Sequence, residues 1–198
     1  MAGLEEEYKK YKQEIEARLQ DFTKLSSQEY IHELFFCILT PQSNAEKCWQ
    51  AIEELKNCEI NNKISDCLKT KTRFYKNKTR YIVEASEKWP EIEKLINSNK
   101  NPKEMREEIV KNIKGLGLKE ASHFLRNIGA SNNELAILDR HILRRMQELN
   151  LIEEDKIKNN KDYLSKELIL KQFSNKVNIP LDHLDLLFWK IESGRIFK

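Results

Sequence analysis

Lys114-Gly115-Leu116-Gly117-Leu118-Lys119 is the stretch that decides the fold, with Asp139 standing twenty positions after Lys119. Upstream of it, Asn101 can cap a helix, Pro102 suits the first helical position, and Glu104 can reach back to the cap. Met105, Ile109 and Ile113 then recur at helical spacing. Gly115 ends that helix, where a positive φ is cheap only without a Cβ. A second helix is expected from about Leu118 to Ile128, with Ala121, Phe124, Leu125 and Ile128 on one face and Gly129 at its end. Two amphipathic helices thus flank a two-glycine hairpin. A lysine opens the second helix and a carboxylate opens the next.

Exposed N–H groups at such a turn and helix start suit a phosphate, and two glycines let a nucleic-acid backbone come close. The hairpin therefore reads as a helix-hairpin-helix DNA clamp. Gly-x-Gly by itself is a weak signal, and a plain connection between two helices fits the same residues.

The rest of the chain sets the frame. Its 198 residues allow one or two small domains with a real core, and a composition 34% charged with only five glycines and four prolines favours a helix-rich protein. A net charge of +3 hints mildly at a polyanion. No stretch approaches the length of a membrane span, and the acidic opening Met1-Ala-Gly-Leu-Glu-Glu-Glu does not begin a secretion signal, so a cytoplasmic, nucleoid-associated protein is expected. Cys37, Cys48, Cys58 and Cys67 form no C-x-x-C pair and read as reduced thiols. No metal site or cofactor is expected.

In chain order, Leu4, Tyr8, Tyr11, Ile15, Leu19 and Phe22 stripe an outer helix. A second helix, about Ser27 to Leu39, carries the apolar run Leu34 to Leu39 and should be the most buried. Thr40-Pro41-Gln42 breaks it, and Ser43 with Glu46 forms a capping box for a helix over about Asn44 to Lys56. This polar break is a candidate DNA-facing loop or a plain connection. Asn57 to Leu68 reads as a connector with a partial helix. The run Lys69 to Arg80 then holds six cations and two aromatics, with no acid. Phe74 and Tyr75 among those cations fit a surface that neutralises phosphates and stacks on bases; a solvated basic helix face is the other reading. That helix should run to Trp89, stop at Pro90, and be followed by a short one from Glu91 to Asn97. Asp139 caps a helix carrying Ile142, Leu143 and Met146. Two more follow, about Lys161 to Asn178 and from Pro180 to Gly194. With no β-alternation and no repeat, the fold class is all-α, with about ten helices.

A lysine beside a hairpin that holds DNA, with an aspartate brought back near it, reads as a nucleophile pair. A neutral amine can attack a sugar carbon and form a Schiff base, and partial burial of a lysine frees that amine. A carboxylate orients it, moves protons and stabilises positive charge on the sugar. The same residues also fit a solvent-facing lysine and a simple N-cap.

Gly115-Leu-Gly117-Leu-Lys119 followed by Leu138-Asp139-Arg-His141-Ile resembles the core of the helix-hairpin-helix DNA glycosylase superfamily. The resemblance implies two helical subdomains flanking a DNA-binding cleft, roughly 28–135 (including the hairpin 102–129) and 1–27 plus 136–198. It implies that Lys119 attacks the sugar C1′ with Asp139 assisting base departure, and that β-elimination nicks the strand 3′ to the lesion. Gly115, Gly117, Lys114 and His141 would meet the DNA backbone. Two departures place the chain within the superfamily: no cysteine lies beyond Cys67, where endonuclease III-like members carry an iron–sulfur motif, and the loop Gly129 to Leu138 lacks proline. Trp189-Lys-Ile-Glu-Ser-Gly194-Arg-Ile-Phe-Lys198, Leu39-Thr-Pro-Gln42-Ser-Asn-Ala45 and Arg73-Phe-Tyr-Lys-Asn-Lys78-Thr-Arg-Tyr-Ile82 are similar to the compact archaeal-type 8-oxoguanine DNA glycosylase/AP lyases. By that likeness, the flipped base stacks on Trp189 with Phe74 as a second wall, Lys198 helps recognise its edge, and Gln42 fills the gap in the duplex.

The expected partner is damaged double-stranded DNA, bound by a monomer with no membrane involved. Rivals are an endonuclease III-like glycosylase for oxidised pyrimidines, a non-catalytic helix-hairpin-helix DNA-binding protein, and an α-helical interaction protein. His123 and His183 read as surface or supporting residues.

Overall fold

A computed structural model describes residues 2–56 and 64–198, so Cys58 and most of the connector expected over Asn57 to Leu68 lie outside the described residues. All regular structure among the described residues is helical. In chain order the helices are α1 (Ala2–Thr23), α2 (Ser27–Leu39), α3 (Ala45–Leu55), α4 (Ile64–Lys69), α5 (Tyr75–Ile96), α6 (Pro102–Asn112), α7 (Leu118–Asn127), α8 (Arg140–Glu148), α9 (Asn160–Val177) and α10 (Leu181–Ser193). Two compact units divide the chain, residues 25–124 and residues 1–24 with 125–198, and the division falls inside α7.

The 25–124 unit is built on α2, whose residues Glu33 to Leu39 are all buried. α2 packs on α3 and α5, and α4 and α6 also pack on α5. Asn44 caps α3 by accepting the Lys47 amide, in place of the expected Ser43. Both residue types cap well, and Ser43 is excluded because its hydroxyl is engaged by Thr72, Arg73 and Lys78. Pro90 lies inside α5 and does not end it. Proline costs a helix about 3 kcal/mol, yet the apolar face Ile82, Ala85 and Ile92 is buried on both sides of it. That continuous burial holds the helix together through the missing hydrogen bond.

α6 starts as its sequence dictates, with Asn101 and Glu104 in a reciprocal capping box and Pro102 at the first position. Gly115 adopts φ +88°. Arg106, buried on α6, donates to the Ser122 hydroxyl on α7 at 3.0 Å and ties the hairpin's two helices. α5 braces the turn through residues at helical spacing. The Tyr81 ring lies against Gly115, Glu84 pairs with Lys114 at 3.0 Å, and Lys88 donates to the Asn112 carbonyl at 2.7 Å. His123 is buried, with its ring edge-on to Phe36 at 5.7 Å, so of the two expected readings, surface or supporting, the surface one is excluded.

In the other unit, α10 is the centre and packs against α1, α8 and α9. Leu184, Leu186 and Leu187 are fully buried on it. Asp182, also buried, accepts from the Ser131 hydroxyl and the Asn133 amide and so pins the loop that leads to α8. Burial pushes its carboxyl upward. His183 meets the Tyr8 hydroxyl at 2.9 Å, and burial lowers its pKa. No helix is long and apolar enough to cross a membrane among the described residues.

Candidate active site and nucleic-acid interface

The hairpin places Lys119 on the first turn of α7 with about a quarter of its side chain exposed, and its ammonium lies 3.1 Å from Glu120. The other oxygen of Glu120 accepts the Gly117 amide at 3.1 Å. One carboxylate therefore holds both the hairpin's second glycine and the candidate nucleophile. A phosphate arriving at the Gly117 amide competes with it. The sequence reading missed Glu120, although Gly117-x-x-Glu120 has the spacing by which a helix's third residue reaches back to its cap.

Two further expected residues stand in the same unit. Gln42 is exposed, with φ 56°. Phe74 is 55% exposed at φ 57°, immediately before α5, and the Arg73 guanidinium lies 5.4 Å from its ring. Lys114 points outward beside Glu84. The structure thus brings Gln42, Phe74, Gly115, Gly117, Lys114 and Lys119 into one unit.

Lys78 does not belong to the phosphate-facing run in which the sequence placed it. It is 5% exposed. Burial is the main cause of its lowered pKa, about 8; Arg73 and Lys119 lower it further, while Cys48 and Glu120 act in the opposite sense. A helical face through Lys78, Ile82 and Ala85 was the signal for its burial.

The second unit carries the remaining expected residues. Asp139 caps α8, with Oδ1 accepting the amides of His141 and Ile142 at 2.8 Å each. One oxygen makes the whole cap, so Oδ2 can serve chemistry without giving up the helix start. The His141 ring stands edge-on to Trp189 at 5.0 Å, with Nδ1 3.4 Å from Glu192, which also pairs with Arg144. His141 thus supports Trp189 as well as lying beside Asp139. Trp189 is half-buried, and its indole Nε1 is buried without a hydrogen-bond partner. The segment after α10 turns at Gly194 and is held down, since the Arg18 side chain donates to the Phe197 carbonyl at 2.8 Å. Lys198 is partly buried at its end and is anchored by that contact.

No group of three His, Cys, Asp or Glu side chains that could hold a metal occurs among the described residues. The 25–124 unit offers an amine, a carboxylate, an exposed ring and an amide-bearing hairpin, and the other unit offers the Asp139 carboxylate and the Trp189 indole.

Residues 15–179 match the family model of the helix-hairpin-helix 8-oxoguanine DNA glycosylases. An 8-oxoguanine DNA glycosylase/AP lyase from Fusobacterium nucleatum is 43% identical, over 98% of this chain and 96% of that protein. The corresponding protein of the archaeon Methanocaldococcus jannaschii is 38% identical over 93% and 91% of the two chains. Among solved structures, the M. jannaschii 8-oxoguanine DNA glycosylase superposes with a TM-score of 0.89 at 37% identity, covering 100% of this chain and 95% of that one. The M. jannaschii enzyme in complex with a DNA 15mer containing 8-oxoguanine gives 0.87 at 35% identity, with full coverage of both chains. With most of its length matched by the family model and by whole relatives, this chain belongs to the helix-hairpin-helix 8-oxoguanine DNA glycosylase family.

Proposed function

We propose that this chain is a bifunctional repair enzyme that excises 8-oxoguanine from duplex DNA and then nicks the abasic strand. The observation that carries the reading is the position of Lys119 on the first turn behind the two-glycine hairpin, in the same unit as Gln42 and Phe74. Phosphate held at the hairpin amides fixes the strand, and the amine beside it meets the sugar.

In the reaction, the neutral Lys119 amine attacks C1′, the C1′–N9 bond breaks, and the base leaves with its electron pair and takes up a proton. The resulting amino sugar opens to a Schiff base. Loss of a C2′ proton then expels the 3′ phosphate by β-elimination, and water hydrolyses the imine to free the lysine. In the resting protein Lys119 pairs with Glu120, so the ammonium must first give up a proton, and Glu120 is the carboxylate in contact with it. Asp139 assists base departure by countering the positive charge that develops on the sugar.

Taking the base out of the stack costs a few kcal/mol, which a wedge and a stacking pocket offset. Gln42 supplies the wedge, Phe74 and Trp189 the walls, and Lys198 reads the base edge. Gly115, Gly117, Lys114 and His141 contact the backbone, with Lys114 exchanging Glu84 for phosphate. The enzyme works on chromosomal DNA in the cytoplasm as a monomer and takes no cofactor.

Borohydride trapping on a duplex with a single 8-oxoguanine, comparing wild type with Lys119→Gln, tests this. A covalent adduct with the wild type alone is expected. An adduct on an abasic duplex but none on 8-oxoguanine rejects the substrate. If neither duplex traps while both proteins bind DNA equally, the chain is a binding module.

A further inference from the structure

The 25–124 unit contains an ammonium that the reaction does not use. Lys78 Nζ has four oxygens within hydrogen-bond distance for its three N–H groups: the Leu39 carbonyl at 2.7 Å, the Pro41 carbonyl at 2.8 Å, the Ser43 hydroxyl at 3.0 Å and the Thr72 hydroxyl at 2.8 Å. None of these four partners is a carboxylate. Leu39 and Pro41 stand at the C-terminal end of α2, where backbone carbonyls favour a cation. The Thr72 hydroxyl donates to the same Leu39 carbonyl, and the Ser43 hydroxyl accepts the Arg73 amide at 3.0 Å. A single side chain thereby ties the loop after α2 to the segment before α5.

What these two segments carry is unusual in this chain. Six non-glycine residues have positive φ among the described residues. Four are asparagines (Asn132, Asn133, Asn150 and Asn178), a residue that visits the left-handed region at little cost. The other two are Gln42 and Phe74. Gln42 sits between two residues whose oxygens the ammonium holds, Pro41 and Ser43. Phe74 follows Arg73, whose amide Ser43 fixes, and its own carbonyl accepts the Lys78 amide at 3.1 Å. Both side chains are exposed. Strained backbone that presents an exposed side chain persists where the surroundings over-determine it. Here the surroundings are the four-oxygen cage and the ammonium that fills it.

We propose that Lys78 is a positioning residue for base excision, whose ammonium locks the loop of Gln42 and the segment of Phe74 into one preformed piece facing the DNA. The inference rests on the assignment of Gln42 as wedge and Phe74 as stacking wall. Lys78 touches neither substrate nor Lys119. An ammonium suits the task because its three N–H groups fan into a cage of oxygens drawn from both segments. Methionine fills the same volume and ties nothing, and arginine is too long and planar for the cage. Four charged or titratable side chains from three elements face the group: Cys48 from α3, whose thiol pKa burial raises, Arg73 from the segment before α5, and Lys119 and Glu120 from α7.

The test separates excision from strand cleavage. Single-turnover excision on 8-oxoguanine duplex needs the wedge and the stacking wall; β-elimination on a ready-made abasic duplex has no base to stack. For Lys78→Met, excision should fall about 100-fold, as for a misplaced reacting geometry, while abasic cleavage stays within about threefold of wild type. Ser43→Ala removes one oxygen of the cage and the partner of the Arg73 amide, and should show the same split at smaller size. Equal losses in both reactions for both variants, or losses that track unfolding by circular dichroism, give Lys78 a merely structural role and overturn the proposal. Excision by Lys78→Met at the rate of an active wild type overturns it as well and leaves the proposed function standing. A wild type that cleaves abasic sites but does not excise 8-oxoguanine overturns the proposed function and this inference with it.

Discussion

The two hairpin glycines make different demands, and alanine at each separates folding from DNA binding. At Gly115 the backbone has φ +88°, and a Cβ would stand 2.6 Å from Cδ2 and 3.3 Å from Cγ of the Tyr81 ring. The left-handed conformation costs an L-residue about 1–2 kcal/mol, and moving a packed ring about 1–3 kcal/mol, while the stiffer unfolded chain returns about 0.4–1 kcal/mol. The net for Gly115→Ala is a loss of roughly 2–3 kcal/mol, which for a chain of this size lowers Tm by about 5–10 °C. At Gly117 φ is ordinary, and a Cβ would meet only the Glu120 carboxylate oxygen at 3.2 Å, the free end of a flexible side chain. Gly117→Ala should therefore melt within about 0.5 kcal/mol of wild type. Its cost falls on DNA, because a methyl group holds the phosphate away from the amide. A tenfold weaker Kd, about 1.4 kcal/mol, is expected. Circular dichroism melts give the first quantity and fluorescence anisotropy on an abasic-analogue duplex at fixed salt the second. A Gly115→Ala protein that melts like wild type refutes the backbone argument, and a Gly117→Ala protein with wild-type affinity refutes phosphate contact at that amide.

Asp139→Asn keeps the amide acceptor of the cap and should melt like wild type, while Asp139→Ala loses about 1 kcal/mol; both should cut single-turnover excision about 100-fold or more if the carboxylate serves the chemistry. Lys78 gives a pH signature: its folded pKa, about 8, lies below the unfolded value of 10.5, so between those values the unfolded chain binds more protons and stability rises with pH. Relative to Lys78→Met, the wild type should gain up to roughly 3 kcal/mol in urea unfolding between pH 8 and 10.5, and a pH-independent difference would show that the ammonium is not held at a cost. Trp189→Ala should remove stacking worth about 1–3 kcal/mol, which lowers excision while abasic cleavage continues, and equal loss of both reactions counts against a wall for the base.

The hairpin could be read from the chain because its instructions are local. An asparagine cap, a proline at the first position and a glycine past the end each act within a few residues, and Asn101, Pro102 and Gly115 do in the structure what their types require. The Asp139 cap was legible for the same reason. Where the reading failed, a partner distant in sequence decided. Ser43 and Asn44 are equal candidates for the α3 cap until Lys78, thirty-five residues on, claims the serine hydroxyl. Pro90 stops a helix by its own chemistry but not against a face buried on both sides of it. Lys78 looked like its neighbours Lys76 and Arg80 because a run of cations carries no sign of which one turns inward.

The chain's own choice of residues argues that Gln42 and Phe74 are present for their side chains. Where only a left-handed backbone is required, as at positions 132, 133, 150 and 178, asparagine stands there. Glutamine and phenylalanine in that conformation cost of order 1 kcal/mol each, and the buried ammonium between them roughly 3 kcal/mol more. Together that is about 5 kcal/mol, a sum comparable to the 5–15 kcal/mol that stabilises a whole domain. Glycine or asparagine at 42 and 74 with methionine at 78 would remove most of it and leave α2 and α5 packed through the same apolar residues. A fold that needed only its core would carry that cheaper set. The costs fall on an amide long enough to reach into a gap and on a ring flat enough to lie on a base, both exposed in the unit that holds Lys119. They are the costs expected of side chains kept ready for a substrate that is not yet bound.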